Sequence, residues 1–144
     1  MTIYLATDHA GFQLKESIKG FLIAYEFDVV DLGNKILDEN DDYPDFITPC
    51  AEAIAKDSNS KAIIFGGSGQ GEAMCANRIK GARAVVYYGG NNDILLFSRK
   101  HNDANILSVG ARFIDHDQCK DAVKLWLDTE FSQDERHIRR LSKF

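Results

Sequence analysis

The residues 66–72, GGSGQGE, combine flexible backbone with a single carboxylate. Gly66 and Gly71 have the spacing of a nucleotide P-loop. The lysine such a loop needs is replaced by Glu72, however, and the hydroxyl after it by Ala73. A dinucleotide loop would want a small residue where Glu72 stands, and a hydrolase elbow would want glycine where Gln70 stands. What remains is a turn that lets N–H groups approach negative charge, with an acid beside it. A carboxylate repels a phosphate already bound, so the anion that suits this loop is one formed in a reaction, when a base takes a proton. Glu72 is then the base, and the amides around Ser68 to Gly71 form an oxyanion hole. Position alone leaves a second reading open, because an acid in the first turn of a helix is also favoured by the helix dipole. The dipole lowers a carboxylate pKa, whereas burial raises it toward a useful value.

The elements that must carry this loop alternate along the whole chain. Strand-like runs are expected at Ile3 to Ala6, Asp28 to Leu32, Ala62 to Phe65, Arg83 to Tyr87 and Asn105 to Val109. Several are continuously apolar, as suits a parallel sheet covered on both faces. Helical spacing links Leu14, Ile18, Phe21, Leu22 and Tyr25, then Ile47, Cys50, Ala51 and Ile54. A third helix is expected after Gly71, a fourth from about Asn91 to His101, and a fifth with Cys119, Ala122, Val123 and Trp126 on one face. This rhythm predicts a three-layer α/β/α sandwich, Rossmann-like, on a five-stranded parallel sheet of order 2-1-3-4-5, plus a C-terminal helix. Ligands of such sheets sit beyond the carboxyl ends of the strands where the order reverses, here between the first and third strands. The loop Thr7-Asp8-His9-Ala10-Gly11 would then face the glycine loop.

Composition narrows the class. The 144 residues suit one domain, and 44% hydrophobic with 27% charged residues is ordinary for a globular chain. A net charge of −5 argues against general nucleic-acid binding. No apolar run is long enough to span a membrane and no leader pattern opens the chain, so a cytoplasmic protein is expected. Cys50, Cys75 and Cys119 are an odd number without a close pair, which speaks against a disulfide framework or a thiolate metal site. Acidic residues crowd 38–45, and Arg136, Arg139, Arg140 and Lys143 crowd the tail.

Five stretches in order, ATDHAGFQLK, DDYPDF, GGSGQGEAMCANRIKGARA, SRKHNDANILSVGARF and RHIRR, resemble the ribose-5-phosphate isomerase type B family, which also includes galactose-6-phosphate isomerase subunits. The likeness spans nearly the whole chain. It implies an aldose–ketose isomerase of a sugar phosphate that opens the ring and moves a proton through an enediolate, without metal or other cofactor. One branch of the family uses a cysteine base at the end of the third strand. That position is Gly66 here, so the resemblance is to the branch whose base is the glutamate, Glu72. By the same resemblance Ser68 shuttles protons between substrate oxygens and His101 helps open the ring. Asp8, His9, Tyr43, Asn102 and the loop residues Gly67, Gly69, Gln70 and Gly71 contact the sugar, while Arg112, Arg136 and Arg140 hold its phosphate. The family docks the tail on a second subunit, so a homodimer is expected, open to assembly into a tetramer.

Each position has a plainer role beside this one. Asp8 and His9 are common turn residues, a Tyr-Pro pair such as Tyr43-Pro44 enters helices, and Ser68 suits a loop hydrogen bond. His101 and Asn102 suit a helix end, and a run such as RHIRR is usually solvated surface. The segment Tyr87 to Asp93 fits the family least. Ribose 5-phosphate is the expected substrate, with allose or galactose 6-phosphate as alternatives. A non-catalytic sugar-phosphate-binding module is the rival class. It would need the arginines but not Glu72.

Overall fold

A computed structural model of the chain describes residues 1–144. Five parallel strands form the sheet: β1 (Thr2–Thr7), β2 (Asp28–Asp31), β3 (Lys61–Gly66), β4 (Ala84–Tyr87) and β5 (Ile106–Gly110). Between and after them run α1 (Phe12–Ala24), α2 (Pro44–Lys56), α3 (Gln70–Ala76), α4 (Asp93–Lys100), α5 (His116–Asp128) and α6 (Glu135–Leu141). A single 3-10 turn, His9–Gly11, leads from β1 into α1.

Strand periodicity divides the core in two. Ile3 and Leu5 of β1, Ile63 and Phe65 of β3, and Leu107 and Val109 of β5 face one layer, where they meet Leu14, Ile18 and Leu22 of α1, Leu95 of α4 and Trp126 of α5. Their neighbours Ala6, Ala62, Ile64 and Ile106 face the other, against Ile47, Cys50, Ala51 and Ile54 of α2 and Ala76 of α3. Successive side chains of a strand point to opposite faces, so both layers draw on the same three strands. That is why these strands read as unbroken apolar runs.

The sheet order is β2-β1-β3-β5-β4, which corrects the expected 2-1-3-4-5 at its far edge. Every residue of β5 is buried, whereas most of β4 is half-buried at the edge. The glycine loop supplies the physical reason. Ser108 Oγ donates to the Gly69 carbonyl at 2.6 Å, and the amides of Ala111 and Arg112 donate to the carbonyls of Gly66 and Gly67 at 2.8 and 3.2 Å. These bonds fasten β5 directly beside β3. The reversal between β1 and β3 is unaffected, so the crevice lies where the sequence puts it.

The third helix starts at Gln70, rather than after Gly71 as expected. Its entry depends on Gly69 at φ +77°, where a Cβ would also press on the Gly110 nitrogen and the Val109 carbonyl carbon at 3.1 Å. The tail is tied to α4. The buried Arg99 donates from Nε to the Thr129 carbonyl at 3.1 Å and from a terminal nitrogen to Asp103 Oδ1 at 2.9 Å, while the Ser132 amide donates to the Lys100 carbonyl at 3.1 Å. His137 of α6 is buried with its ring 4.5 Å from that of His101.

Candidate active site

At the carboxyl ends of β1 and β3 lies an open cavity of about 380 Å³. Asp8, His9, Tyr43, Gly67, Ser68, Gly71, Glu72 and Arg112 line it, with Ala10 and Phe113. Eight of the sequence-nominated residues are thereby brought together from four separate stretches of chain.

Glu72 sits in the first turn of α3 and is only 4% exposed. Its carboxyl group fills the space above Gly66: a Cβ there would fall inside it. A cysteine at position 66 and a glutamate at 72 therefore compete for one volume. Burial pushes the Glu72 pKa above the ordinary carboxylate range, its own backbone N–H opposes this, and the nearby negative charge of Asp8 adds to the rise. Burial thus outweighs the opposing backbone bond, and the shift is in the direction that general-base chemistry calls for. Around it the amides of Ser68, Gly69 and Gly71 find no acceptor in the chain, while Gln70 N–H makes a long 3.3 Å bond to Ser68 Oγ. Unspent donors beside a raised carboxylate are the components of an oxyanion site.

Two walls stand over this loop. The Arg112 guanidinium lies against Gly67, close enough that a Cβ would be 3.1 Å from Cζ. The Tyr43 ring end lies against Gly71, with Cζ and the hydroxyl 2.9 Å from the same hypothetical atom. The order β3-β5 is what allows the first contact. Strands are spaced about 4.8 Å apart, so an intervening β4 would have moved Arg112 a full strand further away.

On the β1 side, Asp8 caps the 3-10 turn by accepting from the Ala10 amide at 2.9 Å. His9 Nδ1 is 2.7 Å from Asp41 Oδ1, and the His9 amide donates to the same oxygen at 3.0 Å. That hydrogen bond is the main reason the His9 pKa is raised; burial opposes it, Asp8 and Asp41 add to it, and Arg112 lowers it. Asp8, His9 and Asp41 also make the one set of side chains within ligating distance of a common cation, all within 4.8 Å, but His9 Nδ1 is already engaged by Asp41.

The other nominated residues lie elsewhere in the single chain. Gly69 is packed under the loop, and Gln70 lines a shallow neighbouring hollow with Ser68, Tyr88 and Phe113. His101 and Asn102 close α4, and Arg136 and Arg140 are exposed on α6. Asn102 borders a larger groove of about 690 Å³ with Leu141 and Phe144, but its charged side chains, Lys80 and Arg83, are both cationic and no acid–base pair converges there. Asp41, Ala10 and Phe113 were not singled out from the sequence. Asp41 was hidden in a loop that reads as a crowd of solvated acids, and its one distinguishing signal is its place two residues before Tyr43-Pro44.

Residues 3–144 match the model of the Ribose/Galactose Isomerase family. The chain belongs to that family. Membership makes it an aldose–ketose isomerase by class. Among relatives, it is 35% identical over 141 residues to ribose-5-phosphate isomerase B of Mycolicibacterium paratuberculosis, covering 98% of this chain and 87% of that one. Among solved structures, ribose-5-phosphate isomerase B of Mycoplasma genitalium with bound ribulose 5-phosphate superposes with a TM-score of 0.92 at 36% identity, over 99% of this chain and 92% of that one. Its counterpart from Clostridium thermocellum gives 0.91 at 39% identity, covering 99% and 94%.

Proposed function

We propose that this protein interconverts ribose 5-phosphate and ribulose 5-phosphate, with Glu72 as the base that moves the proton between C1 and C2. The observation that carries this is the buried carboxyl group of Glu72, with its raised pKa, beside loop amides that have no acceptor. Removing the C2 proton of the open-chain aldose gives an enediolate, whose oxygen the amides of Ser68, Gly69 and Gly71 receive. The proton returns to C1, and Ser68 passes the hydroxyl proton between the two oxygens. Each well-aimed donor is worth on the order of a hundredfold in rate. His101 assists ring opening and Asn102 holds sugar hydroxyls. The absence of any required metal or cofactor is part of the proposal.

Charge supports a site completed by a second copy. The cavity lining supplies Arg112 and His9 against Asp8 and Glu72, too little positive charge for a phosphate dianion. Arg136 and Arg140, one helical turn apart on α6, carry the missing charge and match phosphate geometry. We place them, with His101 and Asn102, in the partner's cavity of a homodimer. A cytoplasmic location is proposed with it; no helix is long and apolar enough to cross a membrane, and all three cysteines are free.

The test is incubation with ribose, allose and galactose phosphates in deuterated water, following exchange at C2 by NMR. The proposal expects exchange with ribose 5-phosphate, and a Glu72→Gln protein that still binds it but turns it over at least a hundredfold more slowly. Binding lost in parallel with turnover would make Glu72 a ligand contact instead. Exchange with a six-carbon phosphate alone would reassign the substrate.

A further inference from the structure

The proposed function leaves one well-built interaction unexplained. Asp41 lies on the segment between β2 and α2, yet its Oδ1 takes two bonds from His9, the ring Nδ1 at 2.7 Å and the backbone amide at 3.0 Å. Its other oxygen accepts from Asn34 Nδ2. Asn34 is itself buried, and its carbonyl accepts from Nζ of Lys15, a lysine with no exposed surface that also pairs with Asp31 at 2.7 Å. The Asp41 carboxylate is therefore anchored on both oxygens to the fold, and His9 is the one group it presents to the cavity. The His9 side chain remains 32% exposed, and its Nε2 has no partner in the chain.

We propose that Asp41 is a positioning residue for the anionic end of the substrate: it accepts the hydrogen bond from Nδ1–H of His9, fixes the ring, and leaves Nε2–H to donate to phosphate. This rests on the sugar-phosphate reading of the site. The chemistry follows from tautomers. A histidine whose Nδ1–H is given to a carboxylate must present Nε2 outward, and the carboxylate favours the doubly protonated ring that donates there. The charged groups facing His9 are Asp8, with Oδ2 at 4.0 Å, Asp41, and Arg112 from the loop after β5. Arg112 disfavours a charged ring beside it, and the hydrogen bond to Asp41 offsets that, so Asp41 favours a second cation beside Arg112 in the cavity lining, to which the partner's arginines would add.

The direction with pH follows. His9 is held protonated above its ordinary range by its hydrogen bond to Asp41, so its contribution to phosphate affinity is full at low pH and is lost as pH rises through the folded pKa. In Asp41→Asn that loss occurs at lower pH. The substrate's own second ionisation, near pH 6, is common to both proteins and cancels in their ratio.

The experiment measures KM and kcat for ribose 5-phosphate from pH 5 to 9 in wild type, Asp41→Asn, Asp41→Glu, His9→Gln and the Asp41→Asn/His9→Gln double variant. Alongside, NMR titration of the His9 ring and of inorganic phosphate binding is done on wild type and Asp41→Asn. The proposal expects Asp41→Asn to raise KM roughly tenfold in the pH window between the His9 titrations of the two proteins with kcat within about threefold, to converge with wild type toward pH 5 and again above the wild-type titration, and to add nothing in the His9→Gln background. Asp41→Glu restores part of the affinity. The His9 titration moves to lower pH in Asp41→Asn. An unmoved His9 titration, or a KM defect equal at all pH values and additive with His9→Gln, overturns it. If Asp41→Asn does not fold, the comparison of Asp41→Glu with His9→Gln decides by the same criteria. The His9 titration and the phosphate affinity need no turnover, so a protein that fails to isomerise ribose 5-phosphate yet shows both shifts refutes the substrate and not the role of Asp41.

Discussion

Adding one carbon at Gly66 tests the placement of the base without touching it. Gly66 has no positive φ, so alanine is allowed by the backbone. The added Cβ, however, would overlap both carboxylate oxygens and Cδ of Glu72, well inside van der Waals contact. Gly66 ends a buried strand, hydrogen-bonded through its carbonyl to Ala111, so the side chain must yield rather than the backbone. A contact distance between carbon and oxygen requires the carboxyl to move by about 1 Å or more, and a misplacement of that size costs about a hundredfold in rate. Gly66→Ala is expected to lower kcat for ribose 5-phosphate about a hundredfold while KM changes only a few-fold. It should also cost ~1–3 kcal/mol of stability by overpacking. Stability is read by urea unfolding and activity by the formation of ribulose 5-phosphate. In Gly66→Ala/Glu72→Ala the clash is gone, so stability should recover, and Gly66→Ala should cost no further activity on a Glu72→Gln background. A Gly66→Ala protein with more than half the wild-type kcat would refute the account of where the base stands.

Three further outcomes follow from the same contacts. Glu72 has a raised folded pKa, so its ionisation costs stability as pH climbs from the unfolded value through the folded one. Glu72→Gln should therefore melt higher than wild type near pH 8, with the difference gone near pH 4, as scanning calorimetry can check. Arg99→Ala removes a buried cation that holds the Thr129 and Ala104 carbonyls and Asp103, and should destabilise the chain by roughly 2–4 kcal/mol in denaturant titration. Sedimentation at micromolar concentration should show a homodimer; a monomer that retains full turnover contradicts the shared site. In the same protein Arg136→Ala should raise KM at least tenfold, with little change in unfolding, because that side chain is 62% exposed in the single chain.

Much of this molecule is legible in its letters because periodicity reports burial directly. β1, β3 and β5 were visible as unbroken apolar runs, and the helices as stripes such as Cys119, Ala122, Val123 and Trp126, since each is covered by core on the matching face. The order of β4 and β5 was not visible, because AVVY and ILSVG are equally good strands. What separates them is a set of long-range bonds, such as Ser108 to Gly69, that no local pattern encodes. The same distinction runs through the site. Glu72 and the glycines announce themselves by violating a familiar motif, whereas Asp41 looks like any loop acid until the fold brings it, across 32 residues, onto His9. The pKa of Glu72 was likewise undecidable from sequence, because it depends on how deeply the side chain is covered.

The fastening of α6 to the end of α4 has its own consequence. Arg99, Ser132 and the touching rings of His101 and His137 clamp the two helices at their junction, so a histidine, an asparagine and two arginines keep fixed mutual positions. A neighbouring molecule that meets this arm receives the four together, as a tool already assembled. Loosening the joint at Arg99 would disturb all of them at once, even though that residue is buried and does not line the cavity.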